Sequence, residues 1–184
     1  MLPAMPSAAV LLAPGFEEIE AVTIIDVLRR AGVDVRILGQ DGGRVTGAHD
    51  IRIEVDQLFG DAWEDWDVVV LPGGMPGATN LRDDERVMGL LKRQREAGRL
   101  VAAICAAPIA LAAAGLLDGL KATCYPGFED QLGDAVQATS RVVVDDGVIT
   151  SRGPGTAMWF SLQLVAQLCG QDKADELARQ MLVV

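Results

Sequence analysis

A chain of 184 residues, half of them apolar, is long enough to enclose a core without metals or disulfides, and aromatics at 4% leave that core to Ala, Val, Leu and Ile. A formal net charge of −10, with no lysine- or arginine-rich block to offset it, excludes nucleic acid and anionic lipid surfaces as expected primary partners. The three cysteines, Cys105, Cys124 and Cys169, are widely spaced without a Cys-x-x-Cys pair, which argues against a disulfide framework or a zinc site and for a reducing, cytoplasmic setting.

Met1 to Ser7 carries no positive charge before its apolar residues, and no later stretch approaches the roughly 20 apolar residues of a membrane span, so no export signal and no membrane partner are expected. Ala8 to Ala13 reads as a strand buried on both faces, closed by Pro14-Gly15. From Glu17 to Ala31, apolar Ala21, Ile24, Ile25, Val27 and Leu28 recur at helical spacing, and Gly32 ends the helix. Val33 to Leu38 is the next strand. A glycine-rich turn at Gly39–Gly43 and alternating segments around Val45 and Ile51–Val55 predict a hairpin at the sheet edge. Asp67–Leu71 is a buried strand, Asp84–Ala97 a helix stopped by Gly98, and Leu100–Ile104 the strand that delivers Cys105. Asp145-Asp-Gly147 between valine-rich runs marks a second hairpin, and helices over about Thr156–Leu168 and Lys173–Leu182 complete the chain. Alternating strands and helices of this composition predict a single α/β domain with a mostly parallel sheet.

Cys105 is the residue with most chemical promise. It sits where a strand gives way to an alanine-rich helix, and small Ala102, Ala103, Ala106 and Ala107 permit a sharp turn. A helix start there would push the thiol toward thiolate, against the alternative that an unpaired cysteine is an inert core residue. At about 100° per residue, Glu17 and Glu20 fall on the apolar side of the first helix, whereas Glu18 is better explained as a solvated acid complementing the helix dipole. A desolvated carboxyl there would have a raised pKa and serve a thiol or a substrate as proton carrier. In Leu71-Pro-Gly-Gly-Met-Pro-Gly-Ala78, Gly73 and Gly74 are either an oxyanion-binding turn or a tight turn that needs glycine. Ser151-Arg-Gly-Pro-Gly-Thr156 is a further turn at a strand end, with Gly153 and Pro154 as candidate pocket residues and Thr156 as a helix cap. The single histidine, His49, lies far from Cys105 in sequence, so no Cys-His-acid triad can be drawn from nearby motifs. Tyr125, followed by Pro126, is a candidate hydrogen-bonding substitute beside the site.

Taken together, Pro14-Gly-Phe-Glu-Glu-Ile-Glu20, Val68-Val-Val-Leu-Pro-Gly-Gly74, Ala102-Ala-Ile-Cys-Ala-Ala-Pro108 and Thr150-Ser-Arg-Gly-Pro-Gly-Thr156 closely resemble the ThiJ/PfpI superfamily, in the branch of the Parkinson-associated protein deglycase. The resemblance runs from about Ala8 to the C-terminus. It implies a flavodoxin-like three-layer sandwich with a peripheral β-hairpin and usually a homodimer. It also implies that Cys105 is the nucleophile and an oxidation-sensitive thiol, Glu20 its protonated hydrogen-bond partner, and Gly74 with Ala106 the backbone donors facing it. Two departures stand out: Tyr125 replaces a histidine that many relatives carry before the proline, and Ala106 replaces the histidine that follows the cysteine in protease-like members, which disfavours peptidase activity. His49 falls in a region the fold would set near the dimer contact.

The expected function is therefore a cysteine-dependent deglycase or glyoxalase needing no metal or organic cofactor, acting on methylglyoxal, glyoxal or their adducts with thiols and amines. The alternative is a redox-sensing protective chaperone in which oxidation of Cys105 matters and aldehyde turnover is incidental; the same residues serve both. A third reading, an amidotransferase-like hydrolase, is weakened by the missing histidine.

Overall fold

The computed structural model describes residues 5–60 and 65–183, so Met1–Ala4 of the leading segment fall outside the described residues. The first unit is β1 (Ser7–Leu12), α1 (Glu18–Arg30) and β2 (Asp34–Gly39), with β1 and β2 parallel in register from Ser7↔Asp34 to Leu12↔Gly39. Ala8 to Leu12 are fully buried, as a strand covered on both faces requires. The edge excursion follows as an antiparallel hairpin, β3 (Arg44–Thr46) and β4 (Arg52–Glu54), and a short β5 (Gln57–Leu58) returns to pair with β2.

The second half of the sheet is built from β6 (Val68–Leu71), helices α2 (Gly77–Asp83) and α3 (Glu85–Glu96), β7 (Leu100–Ile104) and α4 (Pro108–Ala113). A short parallel pair, β8 (Lys121–Ala122) and β9 (Val136–Gln137), stands outside the main sheet. β10 (Val142–Asp145) and β11 (Val148–Ser151) form the second predicted hairpin, and α5 (Ala157–Cys169) and α6 (Gln171–Gln180) close the chain. In that hairpin, Asp145 pairs with Val148 across Asp146 and Gly147, whose φ values of 42° and 73° make the two-residue turn that matches strand twist.

The main sheet runs β10-β11-β7-β6-β1-β2-β5, parallel throughout except for β10. Helix α5 packs on α1 and α6, while α2, α3 and α4 pack on one another, so helices cover both faces in a flavodoxin-like arrangement. Parallel strands demand such crossovers. From β1 the chain moves to β2 on one side, and from β6 to β7 on the other. Strand order therefore reverses between β1 and β6, and the crevice beyond their carboxyl ends is where α/β sheets place their chemistry.

Helix α2 is an element that sequence periodicity did not predict, as are the two-residue strands β5, β8 and β9. Seven residues with only Ala78 and Leu81 as buried apolar side chains are too short for a 3.6-residue pattern to emerge after a glycine-proline turn. Helix α6 starts and ends two residues earlier than the expected Lys173–Leu182, the usual uncertainty of helix ends. Thr156 stands at the N-cap position of α5 as expected, but its side chain makes no capping hydrogen bond to that helix. Its Oγ1 accepts from Gly153 N at 3.0 Å and Arg152 N at 3.2 Å, which folds the preceding residues into the 3-10 turn Pro154–Thr156.

Candidate active site

Cys105 follows directly on β7 with φ of +64°, a left-handed conformation that L-residues other than glycine rarely adopt. Two hydrogen bonds hold it there. Its N–H donates to the Ser151 carbonyl at 3.0 Å, at the end of β11, and its carbonyl accepts from Tyr125 N at 2.8 Å. The thiol is thus fixed at the carboxyl end of the sheet. Helix α4, however, begins only at Pro108 and is six residues long, so Cys105 is not a first-turn residue of a substantial helix as expected.

Glu20 reaches the thiol from α1. The helical phase read from the sequence puts it inward, and it is completely buried. Gly73 N donates to its Oε2 at 2.7 Å, and Oε1 is buried without an N–H or O–H partner while the carboxyl faces Cys105. Only glycine fits between them: a Cβ on Gly73 would lie 2.5 Å from Cys105 Cβ and 2.8 Å from Glu20 Oε2. The Gly73 carbonyl in turn accepts from Glu17 N at 2.9 Å, so the turn after β6 is clamped onto the first turn of α1. Gly74, with φ of +88°, is pressed against the backbone of Gly15 and Phe16, and its N–H, together with that of Ala106, is directed at the Cys105 sulfur.

Burial pushes the Glu20 carboxyl up to about 7, partly opposed by the hydrogen bonds from Gly73 and Cys105 and reinforced by the charge of Glu17. Burial also pushes the Cys105 thiol up to about 12, with the negative charge of Glu20 adding to it. This corrects the expectation that a helix start alone lowers the thiol. The two groups titrate as one unit that gives up a first proton near neutrality and resists losing a second. Below neutrality the pair is uncharged, and above it the pair holds one negative charge, on the carboxylate or on the sulfur. When it is on sulfur, the Gly74 and Ala106 N–H groups stabilise it and protonated Glu20 becomes a donor instead of a repelling charge.

The remaining candidates divide. Tyr125 is tied by its backbone to Cys105, and its half-exposed ring lies over Gly153, where a Cβ would come within 3.1 Å of Tyr125 Cδ2. Both flank the cysteine. Pro126 is exposed in the turn beyond, and Pro154 opens the 3-10 turn; among the described residues neither has a hydrogen bond or ring contact with Cys105. Glu17 is the N-cap of α1, its carboxylate accepting from Ile19 N at 3.4 Å.

Glu18 overturns its reading as a solvated acid. It is 4% exposed, and its oxygens accept from His49 N at 2.6 Å, Ile51 N at 3.4 Å and the His49 ring Nδ1 at 2.9 Å. Burial opposes ionisation, but the His49 and Ile51 hydrogen bonds prevail and hold the carboxyl below its ordinary range. His49 is mostly exposed and pushed up by its bond to Glu18 and by the Glu17 charge. Glu17, Glu18 and His49 each bring one potential ligand atom within 4.8 Å of the others, but hydrogen bonds between Glu18 and His49 already hold that cluster together. Ser151 is the positioning residue that the sequence did not single out. The motif containing it was legible, whereas a backbone carbonyl's partner was not.

A family model described as the DJ-1/PfpI family matches residues 6–167. Protein dj-1beta of Drosophila melanogaster is 44% identical over 181 residues, covering 96% of this chain and 97% of that protein. Glutathione-independent glyoxalase DJR-1.2 of Caenorhabditis elegans is 37% identical over 182 residues, covering 97% of each. The crystal structure of Drosophila melanogaster DJ-1beta superposes with a TM-score of 0.93 at 42% identity, covering 98% of this chain and 100% of that one.

Proposed function

This chain belongs to the DJ-1/PfpI family, and from that premise we propose that it is a glutathione-independent glyoxalase that converts methylglyoxal and related 2-oxoaldehydes to 2-hydroxy acids at Cys105. The observation that carries the reading is the pairing of Cys105 with a fully buried Glu20 under the Gly74 and Ala106 N–H groups. The name of the Caenorhabditis elegans relative supports it.

The chemistry follows from those parts. Cys105 sulfur adds to the aldehyde carbon, forming a C–S bond, and the carbonyl oxygen takes the proton held by Glu20, giving a hemithioacetal. The Gly74 and Ala106 N–H groups stabilise the charge that moves from sulfur to oxygen. Glu20 carboxylate then removes the proton from the former aldehyde carbon and returns it to the neighbouring ketone carbon through an enediol, while the hydroxyl proton on the first carbon passes to the former ketone oxygen. The first carbon is thereby oxidised to a thioester and the second reduced to an alcohol. Water hydrolyses the thioester, releasing the hydroxy acid and the thiol. No outside oxidant is needed. A carboxyl that titrates near 7 is matched to accepting and returning a proton at neutral pH. With His49 held by Glu18, Glu20 is the proton carrier this reading requires.

The active form in this proposal is a homodimer, supported by exposed Ile19 and Val22 on α1 and Ile51 in the adjacent loop. The test of the reaction is lactate formation from methylglyoxal without added thiol. Cys105→Ser should abolish it, and Glu20→Gln should reduce kcat by about a hundredfold or more. Full activity in both variants refutes the mechanism. No turnover by the wild type, with selective gain of two oxygens on Cys105 under mild peroxide, replaces it with the redox-sensor reading.

A further inference from the structure

A cavity lies against the segment that leads into Tyr125. It encloses about 230 Å³ and is walled by Thr123 and Cys124 after β8, Glu129 of a 3-10 turn over Glu129–Gln131 and Leu132 that ends it, Gln137 of β9, and Arg152. Arg152 belongs to the Ser151–Thr156 motif, but the reaction at Cys105 makes no use of it.

Three features of this cavity call for a ligand. Among the described residues the Arg152 side chain has one hydrogen bond, Nη1 to the Thr139 carbonyl at 3.2 Å, and no ion pair, although it approaches Glu129 and Cys124 closely enough to act on both. Thr123 is 1% exposed, and its buried hydroxyl has no hydrogen-bond partner, while its N–H is already committed to Thr150 Oγ1 at 3.0 Å. A buried hydroxyl left unpaired costs on the order of 1–3 kcal/mol, so a native structure normally supplies its partner. Glu129, whose Oε2 accepts from Gly127 N at 2.6 Å, forms no direct ion pair with Arg152 among the described residues.

The chemistry of the walls narrows the ligand. A guanidinium with open donors suits a planar carboxylate, which it can grip with two parallel hydrogen bonds. A single cation beside Glu129 disfavours a phosphate dianion, and the volume excludes a peptide. The Thr123 hydroxyl supplies one further polar contact of the kind a hydroxyl on the adjacent carbon would meet. We propose that this cavity is a binding site for a small 2-hydroxycarboxylate, with Arg152 pairing the carboxylate and Thr123 the hydroxyl.

The site is coupled to the cysteine through the backbone. Cys124 precedes Tyr125, whose N–H holds the Cys105 carbonyl, and Arg152 follows Ser151, whose carbonyl holds the Cys105 N–H. The ligand class is also the product class of the reaction proposed above, which makes product feedback the natural use of the site. Binding itself rests only on the cavity and is tested without turnover.

The experiment is calorimetric titration of the full chain with sodium lactate, and with propionate, which lacks the hydroxyl. Saturable lactate binding is expected in the wild type and undiminished in Cys105→Ser. Arg152→Gln should weaken it about tenfold or more, and Thr123→Val should remove the preference for lactate over propionate while circular dichroism shows the fold intact. Arg152→Lys keeps the charge without the planar fork and should recover part of the affinity. Three results overturn the proposal: no saturable binding to the wild type, binding unchanged in a folded Arg152→Gln, or binding lost in Cys105→Ser and kept in Arg152→Gln, which would put the ligand at the cysteine. The assay reads lactate binding whether or not methylglyoxal is a substrate, so failure here and failure of the glyoxalase reading are separate results.

Discussion

Glu20→Gln should make the protein more stable at pH 8 even as it removes the proton carrier. The native carboxyl titrates near 7, against an ordinary value of 4.5. Below pH 4.5 the group is protonated in both folded and unfolded chains and contributes nothing to the difference. Between 4.5 and 7 the unfolded chain releases the proton and the native protein keeps it, so wild-type stability falls as pH rises; above 7 the loss is complete. A span of about 2.5 pH units at about 1.4 kcal/mol per unit gives about 3 kcal/mol. Glutamine cannot ionise, retains an oxygen to accept from Gly73 N, and presents an amide toward the sulfur, so the variant escapes this loss. Urea denaturation of both proteins at pH 4.5 and pH 8 measures the effect, because contributions from titrating groups not coupled to Glu20 cancel in the comparison. The wild type should lose about 3 kcal/mol more than Glu20→Gln over that range. A difference independent of pH refutes the assignment of a raised carboxyl at position 20.

The same titration shapes the rate. Turnover of methylglyoxal should rise with pH through a midpoint near 7, as the Cys105–Glu20 pair acquires its single charge; a flat profile between pH 6 and 8 is the contrary outcome. Gly73→Ala forces a methyl group against Cys105 Cβ and the Ile104 carbonyl, and should cost about 1–3 kcal/mol in urea denaturation while slowing alkylation of Cys105. Gly147→Ala puts a side chain at φ of +73° in the β10–β11 turn and should lower stability by about 1 kcal/mol without affecting turnover. Asp84→Ala removes the N-cap of α3 and the Arg86 ion pair, for an expected loss of about 1–2 kcal/mol by the same measurement.

Much of the fold is written locally. The buried run Ala8–Leu12, the helical phase of Ala21, Ile24 and Leu28, and the Asp146-Gly147 turn each depend on neighbours a few residues away, so their patterns are legible in one dimension. The phase that turns Glu20 inward belongs to the same class. Glu18 does not: its burial depends on His49 and Ile51, which arrive from a loop some thirty residues later, and no periodicity within α1 announces them. Helix α2 was lost for a related reason, since its short sequence carries too little apolar pattern to stand out after a turn.

Cys105 joins the two levels. The sequence by itself determined that a cysteine would stand at the end of a buried strand between residues small enough for a tight turn. Tertiary structure alone decided what surrounds it. Strand order, set by non-local pairing, puts the turns after β1, β6, β7 and β11 at one end of the sheet, where Gly73 separates thiol from carboxyl and Ser151 holds the strained backbone. Because burial and the Glu20 charge act only once those parts are assembled, the protonation of the pair is a property of the folded chain and not of any motif within it.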